Sequence, residues 1–157
     1  MSITTVFDVP WNDLARPYGA ASGRTRLDQL GIALAELGLT PKQLGSLGEE
    51  YADAWLEDQG WRTLSHNWRT RYGELDLVML TPEHIVVFVE VKTRRTALYG
   101  YPQEAVTLSK QRNLKRAASD WLIDRRNRVP HHGIRFDVIS VIPGPEGPSV
   151  HHITAAF

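Results

Sequence analysis

Two carboxylates and a lysine recur on neighbouring apolar segments of the chain, with a spacing that could support hydrolytic chemistry. Asp76 lies in an apolar run at residues 75–80, and Glu90 and Lys92 end a second run that begins at residue 85. Because only four residues separate the runs, the pattern predicts a β-hairpin. Side chains alternate between faces along a strand, so Glu90 and Lys92 share one face.

The register of this hairpin decides whether the carboxylates meet. A turn centred on Glu83 pairs Leu80 with Val86, and counting outward pairs Asp76 with Glu90. Like charges directly opposed in a half-buried sheet are destabilising unless something neutralises them. We therefore expect a divalent cation at this pair of carboxylates.

The available ligand types restrict the metal. The chain contains no cysteine, so oxygen and imidazole ligands remain, which favours Mg²⁺ or Mn²⁺. Val91 points away from the metal's face, so that only its backbone carbonyl could join the ligands Asp76 and Glu90. Lys92 returns to that face, where it could position the attacking water or stabilise charge on a phosphate. Glu49, near the start of a helix, could complete the ligand set directly or through water.

A purely structural role is the alternative for the same residues. The two hairpin carboxylates could pair with nearby basic side chains and hold no metal. Glu49 occupies the fourth position of a capping box that begins at Ser46, which is a structural task. Glu74 falls opposite Lys92 in this register and is expected to form a salt bridge with it. The basic side chains available for an ion network are Lys92, Arg69 and Arg71.

Length and composition bound the class of protein. The 157 residues, 42% hydrophobic and 23% charged, are typical of a globular protein. No run approaches the roughly 18 apolar residues of a membrane span, and no signal-peptide pattern opens the chain. We therefore expect a cytoplasmic protein without a membrane partner.

The zero net charge conceals an asymmetry along the chain. Residues 1–60 carry four Lys or Arg against nine Asp or Glu, whereas residues 61–130 carry thirteen against seven. This basic middle contains the hairpin. A basic surface suits a phosphate-backbone binder, although solvated surfaces often show a similar imbalance.

The elements that must position these residues follow in the order α-β-β-β-α-β, which predicts an α/β fold. Residues 1–44 read as an N-terminal extension with one helix over 27–37, and residues 45–157 as the domain. After the hairpin comes a loop around Gly100 and Pro102. The remaining predicted elements are a helix from 46 to Gly60, a strand over 61–69, a helix from Leu108 that ends before Pro130, a strand over 134–141, and a tail or short edge strand over 151–157.

An ordered set of short motifs over about residues 45–142 closely resembles the uncharacterised bacterial YraN family (UPF0102). That family is placed by similarity in the PD-(D/E)xK nuclease superfamily, near archaeal Holliday-junction resolvases. Leu75 stands where the superfamily's name has proline, and residues 1–44 have no match. The motifs are Gly48-Glu49, Asn67-Trp68-Arg69, Gly73-Glu74-Leu75-Asp76-Leu77, Phe88-Val89-Glu90-Val91-Lys92-Thr93-Arg94, Tyr99-Gly100, Ala105-Val106, Lys110-Gln111 and Arg135-Phe136-Asp137-Val138.

The resemblance implies a restriction-endonuclease-like core, with a central mixed sheet flanked by helices. It also implies a metal-dependent DNA endonuclease in which Asp76, Glu90 and Lys92 form the catalytic motif. Branched or flapped DNA would be the substrate, and a homodimer would supply two sites for resolvase-like cutting.

Basic residues around the hairpin are candidates for contacts with nucleic acid, and a solvated surface is the alternative for them. Two other functions stay open: a nucleic-acid-binding protein that keeps the fold without cleavage, and a scaffold that engages a partner through residues 1–44. The candidate residues for nucleic-acid contact are Arg69, Arg71, Arg94, Arg95, Lys110 and Gln111.

Overall fold

A computed structural model describes residues 24–96 and 106–157 of the chain. Within these residues the chain forms an α/β fold, as predicted, and a short 3₁₀ turn at Arg125–Asn127 follows the last helix. The helices are α1 (Arg26–Leu34), α2 (Pro41–Glu57) and α3 (Leu108–Ile123); the strands are β1 (Arg62–Thr70), β2 (Gly73–Leu80), β3 (Ile85–Thr93), β4 (Gly133–Ile142) and β5 (Ser149–Ile153).

The five strands form one mixed sheet in the order β1-β2-β3-β4-β5. Strands β3 and β4 are parallel, with α3 in the connection between them, and the other neighbours are antiparallel. The order from α2 to β4 is the predicted α-β-β-β-α-β, and β5 is the edge strand foreseen for the C-terminal residues. Strand β3 is paired on both edges and covered by helices on both faces. This explains why its sequence is a nearly continuous run of apolar residues.

Helices cover both faces of the sheet and create two hydrophobic layers. Helices α1 and α2 pack on one face and α3 on the other. Burying one large apolar side chain contributes about 1.5–3 kcal/mol, so these layers are the main source of stability. They include Leu34, Leu56, Leu77, Val89 and Ile139 on the α1/α2 side, and Val78, Val86, Phe88, Ala118 and Trp121 on the α3 side.

Helix α2 begins earlier than the sequence prediction placed it. Thr40 caps the helix, Pro41 follows, and the Gln43 side chain closes a capping box on the Thr40 N–H at 2.9 Å. The prediction that a capping box begins at Ser46 is therefore wrong, and Glu49 lies in the helix interior. The upstream signal prevails because it combines a capping threonine, a proline at the first helical position and a glutamine at the third.

The β2–β3 hairpin has the predicted register. Leu80 pairs with Val86, and regular pairing continues to Leu77 and Val89. One further step brings Asp76 level with Glu90. The candidate carboxylates therefore lie where the regular ladder between the two strands ends.

Two parts of the sequence prediction fall outside the described residues: residues 1–23 of the extension and the loop around Gly100 and Pro102. The division of the chain at residue 44 stays a prediction, and α2 runs across it. In residues 24–96 and 106–157, no helix is long and apolar enough to cross a membrane.

Candidate metal centre

Asp76 and Glu90 meet at the open end of the β2–β3 hairpin. The Asp76 carboxylate shares a hydrogen bond with Glu90, and its Oδ2 accepts the N–H of Val91 at 2.9 Å. The Glu90 side chain is only 4% exposed. Glu90 is thus buried and Asp76 half-buried, so the two carboxylates are only partly hydrated.

This arrangement makes the negative charge of Asp76 costly. Burial, and next the negative charge of Glu90, raise the pKa of Asp76 to about 8, although the Val91 N–H opposes the shift. At neutral pH the Asp76 carboxyl therefore keeps a proton. A divalent cation could replace that proton and neutralise both carboxylates.

Two lysines reach Glu90 from different elements. Lys110 Nζ, from the first turn of α3, lies 2.6 Å from Glu90 Oε1, and Lys92 Nζ lies 3.3 Å from the same oxygen. Burial would lower the pKa of Lys110, but the hydrogen bond to Glu90 and the negative charge of Glu90, with smaller contributions, together outweigh burial and the pKa is raised. The sequence placed Lys110 among nucleic-acid contacts and missed this contact with the carboxylate.

Glu49 approaches the same region from α2. With its amide nitrogen turned toward the carboxylates, Asn67 on β1 donates to Glu49 Oε2 at 2.8 Å and to Glu74 Oε1 at 2.6 Å. Burial, followed by the charge of Glu74, raises the pKa of Glu49 to about 7, and the Asn67 hydrogen bond only partly offsets them. Asn67 has φ 44°, a left-handed conformation that asparagine tolerates better than most residues.

A glycine lets α2 come close enough to bring Glu49 near the sheet. A Cβ atom built on Gly48 would lie 1.7 Å from Thr93 Oγ1 and 2.7 Å from Thr93 Cβ. No side chain other than hydrogen fits there without a shift of the helix or of β3. Gly48 is therefore required for the packing of α2 on β3, and Glu49, the next residue, is a candidate ligand.

The donors at this centre fit a hard divalent cation. In the described parts of the chain, no group of three or more His, Asp or Glu side chains is close enough to hold a metal ion. Asp76 and Glu90 supply two carboxylates, and main-chain and water oxygens would complete the ligands. Mg²⁺ usually keeps several waters and takes one or two protein carboxylates, so this donor set suits it. The roles of Glu49 and the Val91 carbonyl as ligands stay predictions.

Comparison with known sequences adds the family. The sequence model of the uncharacterised protein family UPF0102 matches residues 48–141, which contain all the residues of this centre. The chain belongs to this family.

Relatives in UPF0102 cover most of the chain. A UPF0102 protein of Bifidobacterium longum (strain NCC 2705) is 64% identical over 124 residues, which are 79% of this chain and 100% of the relative. UPF0102 proteins of Pelobacter propionicus and Nocardia farcinica are 48% and 44% identical, covering 74% and 73% of this chain and 83% and 88% of the relatives. None of these names states an activity.

The arginines on β1 and in the turn after it have partners within the chain. Arg69 Nε lies 3.3 Å from Glu74 Oε2 and the Arg69 side chain is 84% exposed. The predicted salt bridge between Glu74 and Lys92 is wrong, because Lys92 pairs with Glu90 instead. The Arg71 guanidinium donates to the Tyr72 hydroxyl at 2.8 Å.

The other candidates for nucleic-acid contact lie further from the carboxylates or hold local structure. Arg94 donates its backbone N–H to the Val141 carbonyl, and Arg95 donates its guanidinium to the Leu39 carbonyl, both at 3.0 Å. The Gln111 side chain donates to the Val106 carbonyl at 3.1 Å, just before α3. Contacts of these side chains with nucleic acid stay predictions.

A cleft of about 530 Å³ opens beside Asp76, between the start of β2 and the first turns of α3. It gives the carboxylates a route to solvent. Tyr72 and Asn113 lie in its wall, and neither residue was predicted from the sequence. The side chains relevant to its chemistry are Tyr72, Glu74, Asp76, Ser109, Lys110 and Asn113.

Proposed function

We propose that this protein is a metal-dependent DNA endonuclease of the PD-(D/E)xK superfamily, related to Holliday-junction resolvases and acting on branched or flapped DNA. One observation carries the proposal: Asp76, which lines the cleft, lies beside the buried Glu90, whose carboxylate is contacted by both Lys92 and Lys110. The Glu-x-Lys spacing on β3 is the superfamily's pattern.

The residues would divide the work of phosphodiester hydrolysis. Asp76 and Glu90 would hold Mg²⁺ or Mn²⁺, which supplies Lewis acidity and an activated water when bound. Lys92, 3.3 Å from Glu90, is within reach of a water or a phosphate oxygen next to the carboxylates. Lys110 neutralises Glu90 and would turn toward the phosphate once a metal takes over that charge.

The surroundings of the cleft favour a phosphate-containing substrate. Lys110 and Tyr72 line the cleft, and the guanidinium groups of Arg71 and Arg116 lie over the Tyr72 ring. These cations offset the repulsion between the carboxylates and a phosphate backbone. Binding should weaken as salt rises, because phosphate contacts release counterions.

A cleavage assay with labelled linear, flapped and four-way DNA tests the proposal. The parent should cut with Mg²⁺ or Mn²⁺ and not with EDTA, whereas Lys92→Ala should bind DNA and fail to cut. Arg128→Ala, purified in parallel, is the control, because Arg128 is exposed and follows the 3₁₀ turn after α3. Equal cleavage by the Lys92→Ala variant would identify a contaminating nuclease and contradict the assignment. A preference for four-way DNA would require two sites and hence a dimer.

The second candidate is a nucleic-acid-binding protein that does not cleave. The close contact of Lys110 with Glu90 favours it, because an ammonium group already neutralises one of the two carboxylates. Salt-sensitive DNA binding without metal-dependent cleavage on any of the three substrates would select this candidate.

A further inference from the structure

In the described parts of the chain, a cleft of limited volume leads to Asp76. Glu90 is almost fully buried, and the cleft that leads to Asp76 has a volume of about 530 Å³. Pockets for a single small molecule have roughly 300–1,000 Å³. One nucleotide with its phosphates fits this space, but a base pair with both of its backbones does not. A scissile phosphate would therefore reach the carboxylates more easily on an unpaired strand than on a continuous duplex.

An aromatic ring with two cations lies in the wall of the same cleft. Tyr72, in the turn between β1 and β2, has the Arg71 guanidinium carbon 4.8 Å from its ring centroid and that of Arg116, on α3, at 5.5 Å. Unpaired bases stack on aromatic rings and on guanidinium planes, and arginine also binds phosphate. Both guanidinium groups lie over the Tyr72 ring, so a base would stack there by displacing one of them, and the displaced arginine would contact the backbone of the same strand.

Polar side chains complete the wall on the α3 side. Asn113 and Ser109 line the cleft and offer both hydrogen-bond donors and acceptors. An unpaired base exposes its Watson–Crick edge, which is occupied by base pairing in a duplex. Side chains such as those of Asn113 and Ser109 can therefore form hydrogen bonds with that edge. The wall of the cleft combines stacking, hydrogen bonding and positive charge within one nucleotide's reach of Asp76.

We propose that this cleft is a binding site for single-stranded DNA, with Tyr72 as its stacking platform, and that the nuclease acts on a phosphate of an unpaired strand. The second part rests on the proposed function, whereas the binding site does not. Branch points and flaps expose such strands, and fully paired DNA does not.

Fluorescence anisotropy in EDTA tests the binding site without cleavage. The probes are a labelled oligothymidylate of about ten nucleotides and the same oligothymidylate annealed to oligoadenylate. The parent should bind the single strand at least about fivefold more tightly than the duplex. Tyr72→Ala should weaken single-strand binding about tenfold, because a stacked base contributes on the order of 1–3 kcal/mol. Tyr72→Phe, which keeps the ring, should retain most of the affinity, and Arg128→Ala should behave as the parent.

Thermal unfolding of each variant confirms that it is folded before binding is compared. Equal or tighter binding of the duplex, or unchanged single-strand binding by Tyr72→Ala, would overturn the inference. The inference would also be overturned if the parent cut fully paired DNA in a metal-dependent reaction and the Tyr72→Ala variant cut it equally well. The nuclease function would then stand. Tyr72-dependent binding of the single strand without cleavage would support the site and defeat the nuclease function.

Discussion

The sheet holds two aspartates in opposite circumstances. Asp137 on β4 is fully buried and accepts hydrogen bonds from Arg135 at 2.8 and 2.9 Å, from His152 at 2.7 Å and from the Ala155 N–H at 3.0 Å. Burial alone would raise the pKa of Asp137, but these hydrogen bonds outweigh burial and the pKa is lowered. The chain thus supplies this carboxylate with all the partners that its negative charge needs.

Asp76 on β2 lacks such support. Its partners in the described structure are the Val91 N–H and a second carboxylate, Glu90, and its pKa is raised to about 8. Asp137 has a hydrogen-bond donor for each carboxylate oxygen, so the fold can stabilise a buried aspartate. The lack of comparable donors around Asp76 does not contribute to stability. Strongly perturbed carboxylates in a cleft are typical of functional sites, so the contrast supports the proposed role of Asp76 in the metal centre and a structural role of Asp137.

The largest expected effect is on stability, and it should differ between the two aspartates. Asp137→Asn should lower the free energy of unfolding by about 3 kcal/mol, because it removes the counter-charge of a partly buried arginine. Asp76→Asn, measured in EDTA, should leave the stability unchanged or raise it, because a neutral amide avoids the cost of protonating a carboxyl group beside Glu90. Urea unfolding of both variants gives the comparison. A comparable loss for Asp76→Asn would mean that both aspartates are structural.

The pH dependence of stability should also separate them. The folded-state pKa of Asp76 is raised from 3.8 to about 8, so its contribution is fully present below pH 4 and is lost as pH rises through about 8. Asp137 has a lowered pKa, so its contribution is present above pH 4 and is lost as pH falls through the folded-state pKa. In EDTA, the parent's stability should fall more steeply between pH 5 and 9 than that of Asp76→Asn, as measured by urea unfolding at each pH. Identical slopes would contradict the raised pKa.

The lysine on α3 offers a smaller test of the same contrast. Lys110 competes with a metal for Glu90, so Lys110→Gln should bind Mn²⁺ more tightly, by about tenfold or 1.4 kcal/mol. Lys110→Arg keeps the positive charge and is the matched control. Calorimetric titration of both variants measures the effect. Weaker Mn²⁺ binding by Lys110→Gln would show that the ammonium group supports the metal site instead of competing for it.

Glu49 should have the smallest effect on metal binding. Glu49 lies on α2 and accepts a hydrogen bond from Asn67. Because this hydrogen bond holds the Glu49 carboxylate, we expect it to contact the metal through water. We expect Glu49→Gln to weaken Mn²⁺ binding about threefold, equivalent to roughly 0.7 kcal/mol. The same calorimetric titration measures it. A loss as large as that of Glu90→Gln would make Glu49 a direct ligand.

The sequence predicted those features that depend on local alternation. The hairpin register followed from the short break between two apolar runs, because a turn centred on Glu83 decides which residues of the two strands face each other. The start of α2 was misplaced because two capping patterns lie six residues apart, and local spacing does not rank them. The stronger one, at Thr40, prevailed.

Contacts between distant elements could not be predicted in this way. Lys110 reaches Glu90 only because α3 crosses the sheet with its first turn over the end of β3, and no local pattern records that crossing. Two of the hydrogen-bond donors to Asp137 likewise come from a distant part of the chain, namely His152 on β5 and Ala155 in the turn after it. Tyr72 was not predicted from the sequence, because only the structure brings it into the cleft with residues of α3.

Calorimetric titration with Mn²⁺ tests the central claim, that Asp76 and Glu90 hold a divalent cation, most directly. The parent should bind Mn²⁺ with saturable heat, and an Asp76→Asn, Glu90→Gln double variant should show none while unfolding cooperatively. The matched control is Asp58→Asn, Glu146→Gln, which removes one aspartate and one glutamate charge at exposed positions and should bind as the parent does. Undiminished Mn²⁺ binding by the Asp76→Asn, Glu90→Gln variant would contradict the account.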